Sequence, residues 1–309
     1  MNKNIKKLNS TDFERVFGEK LSDYVKGKIK EYDFSYYELS DEEKDFCILS
    51  TVKTLLDPNL VSAGKKRIDD WNKGWGENLK EFDSSNMIES TIPKYFDKYN
   101  IVRFEQRFIK TCSEHFEYYS LKIILDWIFE KYFMDIKSIY EFGCGTGHNL
   151  IQLSNINPNA NLCGLDWARS SVELINNYAK KHDNKRLTSK KFDFFSPDYS
   201  IELGLNSGVY TIAALEQIGE NYKEYITYLL KQDIEYCIHV EPIGELLDDG
   251  NLLDWLSIQY FKKRKYLKGF YKYLLQLENE GLLDIINVQR TYIGSLYIDG
   301  YSLIIWKPK

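Results

Sequence analysis

The spacing of apolar and polar positions changes once along this chain, near residue 135. Before it, charged and apolar residues mix at helical spacing and valine–isoleucine runs are few, which predicts a mainly helical region over residues 1–134. The clearest helices are expected at 51–56 ("TVKTLL") and 121–133 ("LKIILDWIFEKYF"). Between them, residues 71–100 combine two tryptophans with glycines, serines and Pro93. That composition predicts an irregular segment docked by its large aromatics.

After residue 135, short apolar runs alternate with helical stretches. Strands are expected at 138–143, 161–167, 188–195, 207–215 and 234–243. Helices are expected from 147, at 168–181 and 220–231, and within 251–280. Two further strands, 283–290 and 301–308, close the chain around a turn containing Gly294 and Gly300. This order predicts an α/β fold: a doubly wound, mostly parallel seven-stranded sheet with helices on both faces. The last connection is too short for a crossover helix, so the final two strands form an antiparallel pair. Two units are expected, a cap or substrate lid over 1–134 and an α/β domain over 135–309.

Composition narrows the function classes. With 43% hydrophobic residues the chain is expected to fold as a soluble globular protein. A net charge of −5 and a pI near 5.6 give no basic surplus for nucleic acid. The cluster "KKRK" at 262–265 reads as a solvated helix face. Five scattered cysteines without a C-x-x-C pair predict neither a disulfide framework nor a structural zinc site. The opening "MNKNIKKLNS" has no apolar core and the longest apolar tract is broken by Lys122 and Asp126, so neither a secretory signal nor a membrane span is expected. A cytoplasmic location follows from that reading.

The chemistry concentrates in "IYEFGCGTGHNL", residues 139–150, where Gly143, Gly145 and Gly147 follow the first α/β strand. A dinucleotide fingerprint would need a third glycine at 148 or 150, and these are His148 and Leu150. No G-K-[ST] follows, so a phosphate-cradling loop is excluded too. What remains is G-x-G-x-G preceded by Glu141, at the turn where doubly wound sheets bind cofactors. Asp166 ends the second strand, where a carboxylate can accept both hydroxyls of a ribose. Trp167 offers a flat face for a purine, and Asp193 with Phe194 can take a ring's exocyclic amine and its edge.

This set, "EFGCGTG", "LDW", "FDFF" and "IAALEQIG", resembles the class I S-adenosylmethionine-dependent methyltransferases over roughly residues 135–309, including the terminal antiparallel pair. The resemblance implies S-adenosylmethionine as cofactor. It implies that Glu141 lies by the amino-acid part of that cofactor, with the Gly143–Cys144–Gly145 backbone beneath it and His148 near its carboxylate. Asp166 would hold the ribose, Trp167 would stack on the adenine, and Asp193 and Phe194 would take the adenine edge. Glu141 stands where many relatives carry aspartate. The layout before the last strands is also similar to bacterial methyltransferases that modify sugars and surface polysaccharides.

The acceptor is expected beyond the fourth and fifth strands, near Glu216 and the pair His239 and Glu241. These last two stand two apart on a strand and so share a face. His239 can serve as base, oriented by Glu216 or Glu241, or the three can hold a divalent metal. The plainer alternative is a hydrogen-bonded core histidine, with Glu241 meeting a helix N-terminus. In the cap, Arg103 and Arg107 would share one helix face, if that segment is helical, and fix an anionic group. The expected reaction is O-methylation of a small molecule or glycan; an N-methyltransferase and a non-catalytic binding protein are the rivals.

Overall fold

A computed structural model describes residues 4–96 and 98–309. Its central sheet has seven strands, in the spatial order Leu283–Arg290, Ser302–Pro308, Ile234–Glu241, Ser207–Ile212, Ser138–Phe142, Asn161–Asp166 and Leu187–Lys191. The last five in that order run parallel, and Ser302–Pro308 and Leu283–Arg290 are antiparallel additions. The fold is therefore the doubly wound α/β class expected from the sequence. The final strand does not lie at the edge: it inserts between Ile234–Glu241 and Leu283–Arg290.

Burial follows position in the sheet. Ser207–Ile212 is buried along its whole length, whereas Leu187–Lys191, at the edge, buries only Leu187. Ser138–Phe142, the first strand of the α/β unit in sequence, lies at its middle. The chain winds outward from it through Asn161–Asp166, then returns to its other side at Ser207–Ile212. The sheet order reverses there, which opens a crevice at the strands' carboxyl ends.

Before residue 134 the chain is helical at Ser10–Phe17, Asp23–Glu31, Asp41–Leu56, Ile68–Ser85 and Phe116–Phe133. Phe116–Phe133 is buried on nearly all sides, as expected of a helix sandwiched inside a larger core. Ile68–Ser85 corrects the expectation of an irregular segment. Trp75, Asn78 and Phe82, at helical spacing, form its buried face beside the helix Arg169–Lys181, and this packing overrides the low propensity of Gly74 and Gly76.

A second, antiparallel sheet went unseen in the sequence. Its order is Lys6–Lys7, Ser35–Glu38, Arg107–Thr111, Ile101–Phe104 and Ile293–Ser295. Residues 101–111 thus form a hairpin and not a helix, turning at Glu105 and Gln106 with φ of 51° and 56°, the sign a tight primed turn demands. Ile293–Ser295 reaches this sheet from the connection between the last two strands, so the C-terminal half completes the N-terminal sheet. One core runs through both, from Phe13 and Phe34 to Ile139 and Ile305.

Candidate functional site

A cavity of about 470 Å³ opens at the switch point of the central sheet. Its size is that of a small-molecule site. One wall is the turn after Ser138–Phe142 together with the end of Asn161–Asp166; the other combines the N-terminal region with the turn after Ser207–Ile212 and the helix Leu252–Arg264.

The glycine turn is built for close approach. Gly143, Gly145 and Gly147 have φ of 70°, 52° and 77°, a region that only glycine enters without strain. A Cβ on Gly143 would strike that of Ala214, and one on Gly145 would lie 3.0 Å from the Trp75 ring. Trp75 and Trp71, stacked at 5.3 Å, roof the turn from the helix Ile68–Ser85. That helix is tied down where Ser170 N–H donates to the Asn72 side chain at 3.0 Å.

Asp166 locks the turn to the second strand. Its Oδ2 accepts from Gly145 N–H and its Oδ1 from Ala168 N–H, both at 2.8 Å. Burial pushes its carboxyl up to about 6, against the pull of these donors. Each oxygen keeps a second lone pair, and the residue lines the cavity beside Trp167 and Phe194. Trp167 stacks on Phe195 at 5.8 Å.

Several buried polar atoms of the cavity wall have no partner among the described residues: Trp71 Nε1, His148 Nε2, Asn149 Oδ1 and Gln217 Oε1. Unpaired buried polar atoms are costly, and their convergence on one cavity fits a polar ligand. His148 opens the helix His148–Ile156; its Nδ1 lies 3.1 Å from Thr146 Oγ1. Burial holds its ring at about 3, hence neutral at physiological pH.

Glu216 and Glu117 are the carboxylates of the opposite wall. Glu216 is 9% exposed, accepts from Gln217 Nε2 at 2.7 Å, and is pushed up to about 8 by burial and by the nearby Glu241. The turn that carries it begins at Ala213, a non-glycine residue at φ 47°. Glu241 holds that turn in place: its Oε1 accepts from Ala214 N–H and Leu215 N–H at 3.0 Å and its Oε2 from Glu216 N–H at 3.3 Å.

Of the residues singled out in sequence, the cavity brings together Gly143, Cys144, Gly145, His148, Asp166, Trp167, Phe194 and Glu216. It does not include the others. Glu141 lies beneath, accepting from Asn149 Nδ2 at 2.7 Å and from the Tyr210 hydroxyl at 3.1 Å. Asp193 turns away to accept from Phe195 N–H at 2.9 Å and to face Lys65. His239 is fully buried, with Nδ1 2.9 Å from Thr211 Oγ1 and Nε2 accepting from Trp306 Nε1 at 2.9 Å, so neither nitrogen is free to act as base. Glu241 is a positioning residue for the Glu216 turn. Arg103 spends its guanidinium on the Leu253, Leu296 and Tyr297 carbonyls and the Ser257 hydroxyl, and Arg107 lies on the surface against Glu105. The aromatic stretch expected to dock supplies Trp75, whereas Asn149 and Tyr297 were not singled out and Arg264, expected on a solvated helix face, is half-buried in the cavity wall; Asn149, next to the glycine turn, was within reach of a local motif.

Among the described residues, no helix is long and apolar enough to cross a membrane, and no cluster of three His, Cys, Asp or Glu side chains is arranged to hold a metal ion. No protein-family model and no curated protein matches the sequence. Solved structures with similarity include an O-methyltransferase from neocarzinostatin biosynthesis, in complex with S-adenosyl-L-homocysteine and 1,4-dihydroxy-2-naphthoic acid. It is 13% identical with a TM-score of 0.43, over 62% of this chain and 57% of its own. Coclaurine N-methyltransferase is 16% identical with a TM-score of 0.44, over 82% of this chain and 68% of its own. An S-adenosylhomocysteine-bound methyltransferase from Podospora anserina is 11% identical with a TM-score of 0.43, over 88% of this chain and 97% of its own. The overlap in each case is partial, and the fold and the site rest on the sheet order and the cavity described above.

Proposed function

We propose that this protein binds S-adenosylmethionine against the glycine turn and catalyses methyl transfer to a hydroxyl of a small-molecule or glycan acceptor. The observation that carries this reading is the bare, left-handed turn at Gly143–Gly145, locked to Asp166 at the switch point of the sheet and facing unpartnered polar atoms. When bound, the cofactor supplies an electrophilic methyl group on a sulfonium.

Such a transfer is an in-line displacement, for which positioning and exclusion of water supply much of the rate. Asp166 would accept from ribose hydroxyls through its remaining lone pairs. Trp167 and Phe194 offer faces and edges to a purine. His148 Nε2 and Asn149 Oδ1 would meet the amino-acid end, and Glu141 orients Asn149 from below. Trp71 and Trp75 exclude water from above. Glu216, a cavity carboxyl opposite the glycine turn whose pKa is raised to about 8, acts in its ionised form as the base that accepts the proton of the acceptor hydroxyl.

Isothermal titration with S-adenosylhomocysteine tests the cofactor half of this reading, with Asp166→Ala as control. Binding by the intact protein that the substitution abolishes is the expected result. No binding by the intact protein, alone or with candidate hydroxyl acceptors present, would overturn it.

A further inference from the structure

Among the described residues, Arg264 is a half-buried cation of the acceptor wall with no carboxylate partner. Arg264 ends the helix Leu252–Arg264, where Lys265 turns the chain at φ 55°. Its backbone is pinned by Ala63 N–H, which donates to the Arg264 carbonyl at 2.7 Å, and the adjoining Gly64 N–H donates to the Gln217 carbonyl at 2.9 Å. The guanidinium lies 5.0 Å from the Tyr266 ring centre and 5.7 Å from that of Tyr260, and Tyr260 is itself stacked on Tyr297 at 5.5 Å. Stacking of this kind fixes the plane of an arginine and leaves its edge for recognition.

That edge is nearly unused. Nη1 donates to the Tyr260 hydroxyl at 3.1 Å, Nε is buried without an acceptor, and no carboxylate of the described residues comes within 4.0 Å of the group. The other cations of the cavity differ: Arg67 is paired with Asp70 at 2.7 Å, and Lys98 is exposed. Glu216 stands near Arg264 but makes no ion pair with it, and burial raises its carboxyl to about 8, so it gives Arg264 no close carboxylate partner. A half-buried guanidinium whose edge is open to a ligand cavity is a ready partner for an anion that completes its hydrogen bonds.

We infer that the methyl acceptor is a planar carboxylate, its anionic group held by the edge of Arg264 and its ring by the stacked Tyr260 and Tyr297, with its nucleophile turned toward Glu216. This rests on the methyl-transfer reading above and names the acceptor class within it. One half-buried guanidinium suits a monoanion better than a phosphate, and its edge matches a carboxylate in two parallel hydrogen bonds. It also replaces Arg103 and Arg107 as the anion-holding arginines.

The test compares 4-hydroxybenzoate with its neutral isostere 4-hydroxybenzamide, titrated into the full chain saturated with S-adenosylhomocysteine. The acid is expected to bind at least about tenfold more tightly. Arg264→Gln is expected to abolish that preference while leaving the amide within about twofold, and Arg264→Lys to restore part of it. Retained S-adenosylhomocysteine binding shows that the variants are folded. Equal binding of acid and amide, binding of neither, or a preference that survives Arg264→Gln would overturn the inference. The titration with S-adenosylhomocysteine alone separates the two readings: if it binds and the carboxylate preference is missing, only the acceptor assignment falls.

Discussion

The two walls of the cavity are assembled in opposite ways. The glycine-turn wall comes from residues 143–149, with 166, 167 and 194 supplied by the next two strands. It is local: one turn, bare of side chains, fixed by the Asp166 carboxylate and backbone amides. The acceptor wall draws on Arg67, Trp71, Tyr99, Glu216, Arg264 and Tyr297, positions separated by up to more than 200 residues. The first wall has a sequence signature because its geometry is made by consecutive φ angles. The second has none, because its geometry is made by tertiary packing.

The largest effect is expected on the first wall. Asp166→Ala removes the proposed ribose acceptor and leaves the amides of Gly145 and Ala168 without their partner, so affinity for S-adenosylhomocysteine should fall at least about a hundredfold by calorimetry. An unchanged dissociation constant would mean that the locally built wall is structural and that the comparison fails.

Next in size is a pH effect on the second wall. Burial raises the Glu216 carboxyl from 4.5 to about 8. A carboxyl raised in the fold favours the native state while protonated; its contribution is complete below the ordinary value near 4.5 and is lost as pH rises toward about 8. The melting temperature should therefore decline between mildly acidic and mildly alkaline pH, and Glu216→Gln should flatten part of that decline. Glu141 and Glu241, raised to about 8 and about 7, act in the same direction and remain in the variant. A variant whose profile overlays that of the parent would place the Glu216 carboxylate in contact with solvent.

How much was legible divides along the same line. The strand Leu283–Arg290 and the glycine turn were readable because β-branched runs and spaced glycines are local patterns. The helix Ile68–Ser85 was not, since its propensity is poor and its support lies on Arg169–Lys181. The second sheet was invisible because its strands are short and Ile101–Phe104 pairs with Ile293–Ser295, nearly 200 residues away. His239 and Glu241 share a strand, but period-two spacing cannot say whether their face meets a cavity or a core. Trp306 Nε1 and the Ala214–Glu216 amides decide it, and both were beyond reach of the local pattern.

A smaller effect follows for His239. His239→Gln removes an acceptor for the buried Trp306 N–H and a partner of Thr211, so stability should drop by about 1–3 kcal/mol in chemical denaturation. Affinity for S-adenosylhomocysteine should stay within about twofold, since the ring lies outside the cavity. Weakened binding beyond the stability loss would restore the histidine to the site.

The smallest effect belongs to Arg107, and it sharpens the contrast with Arg264. Both are arginines that could hold an anion, yet their surroundings differ in kind. Arg107 is 46% exposed at its side chain and meets Glu105 at 3.3 Å and Glu38 at 3.8 Å, contacts made in solvent and screened by salt. Arg264 lies between tyrosine rings with its Nε out of reach of water. Arg107→Ala should change stability by less than about 0.5 kcal/mol and leave the 4-hydroxybenzoate preference intact. If it instead erased that preference, the anion would be held at the hairpin surface, and the acceptor wall would extend beyond the cavity onto the second sheet.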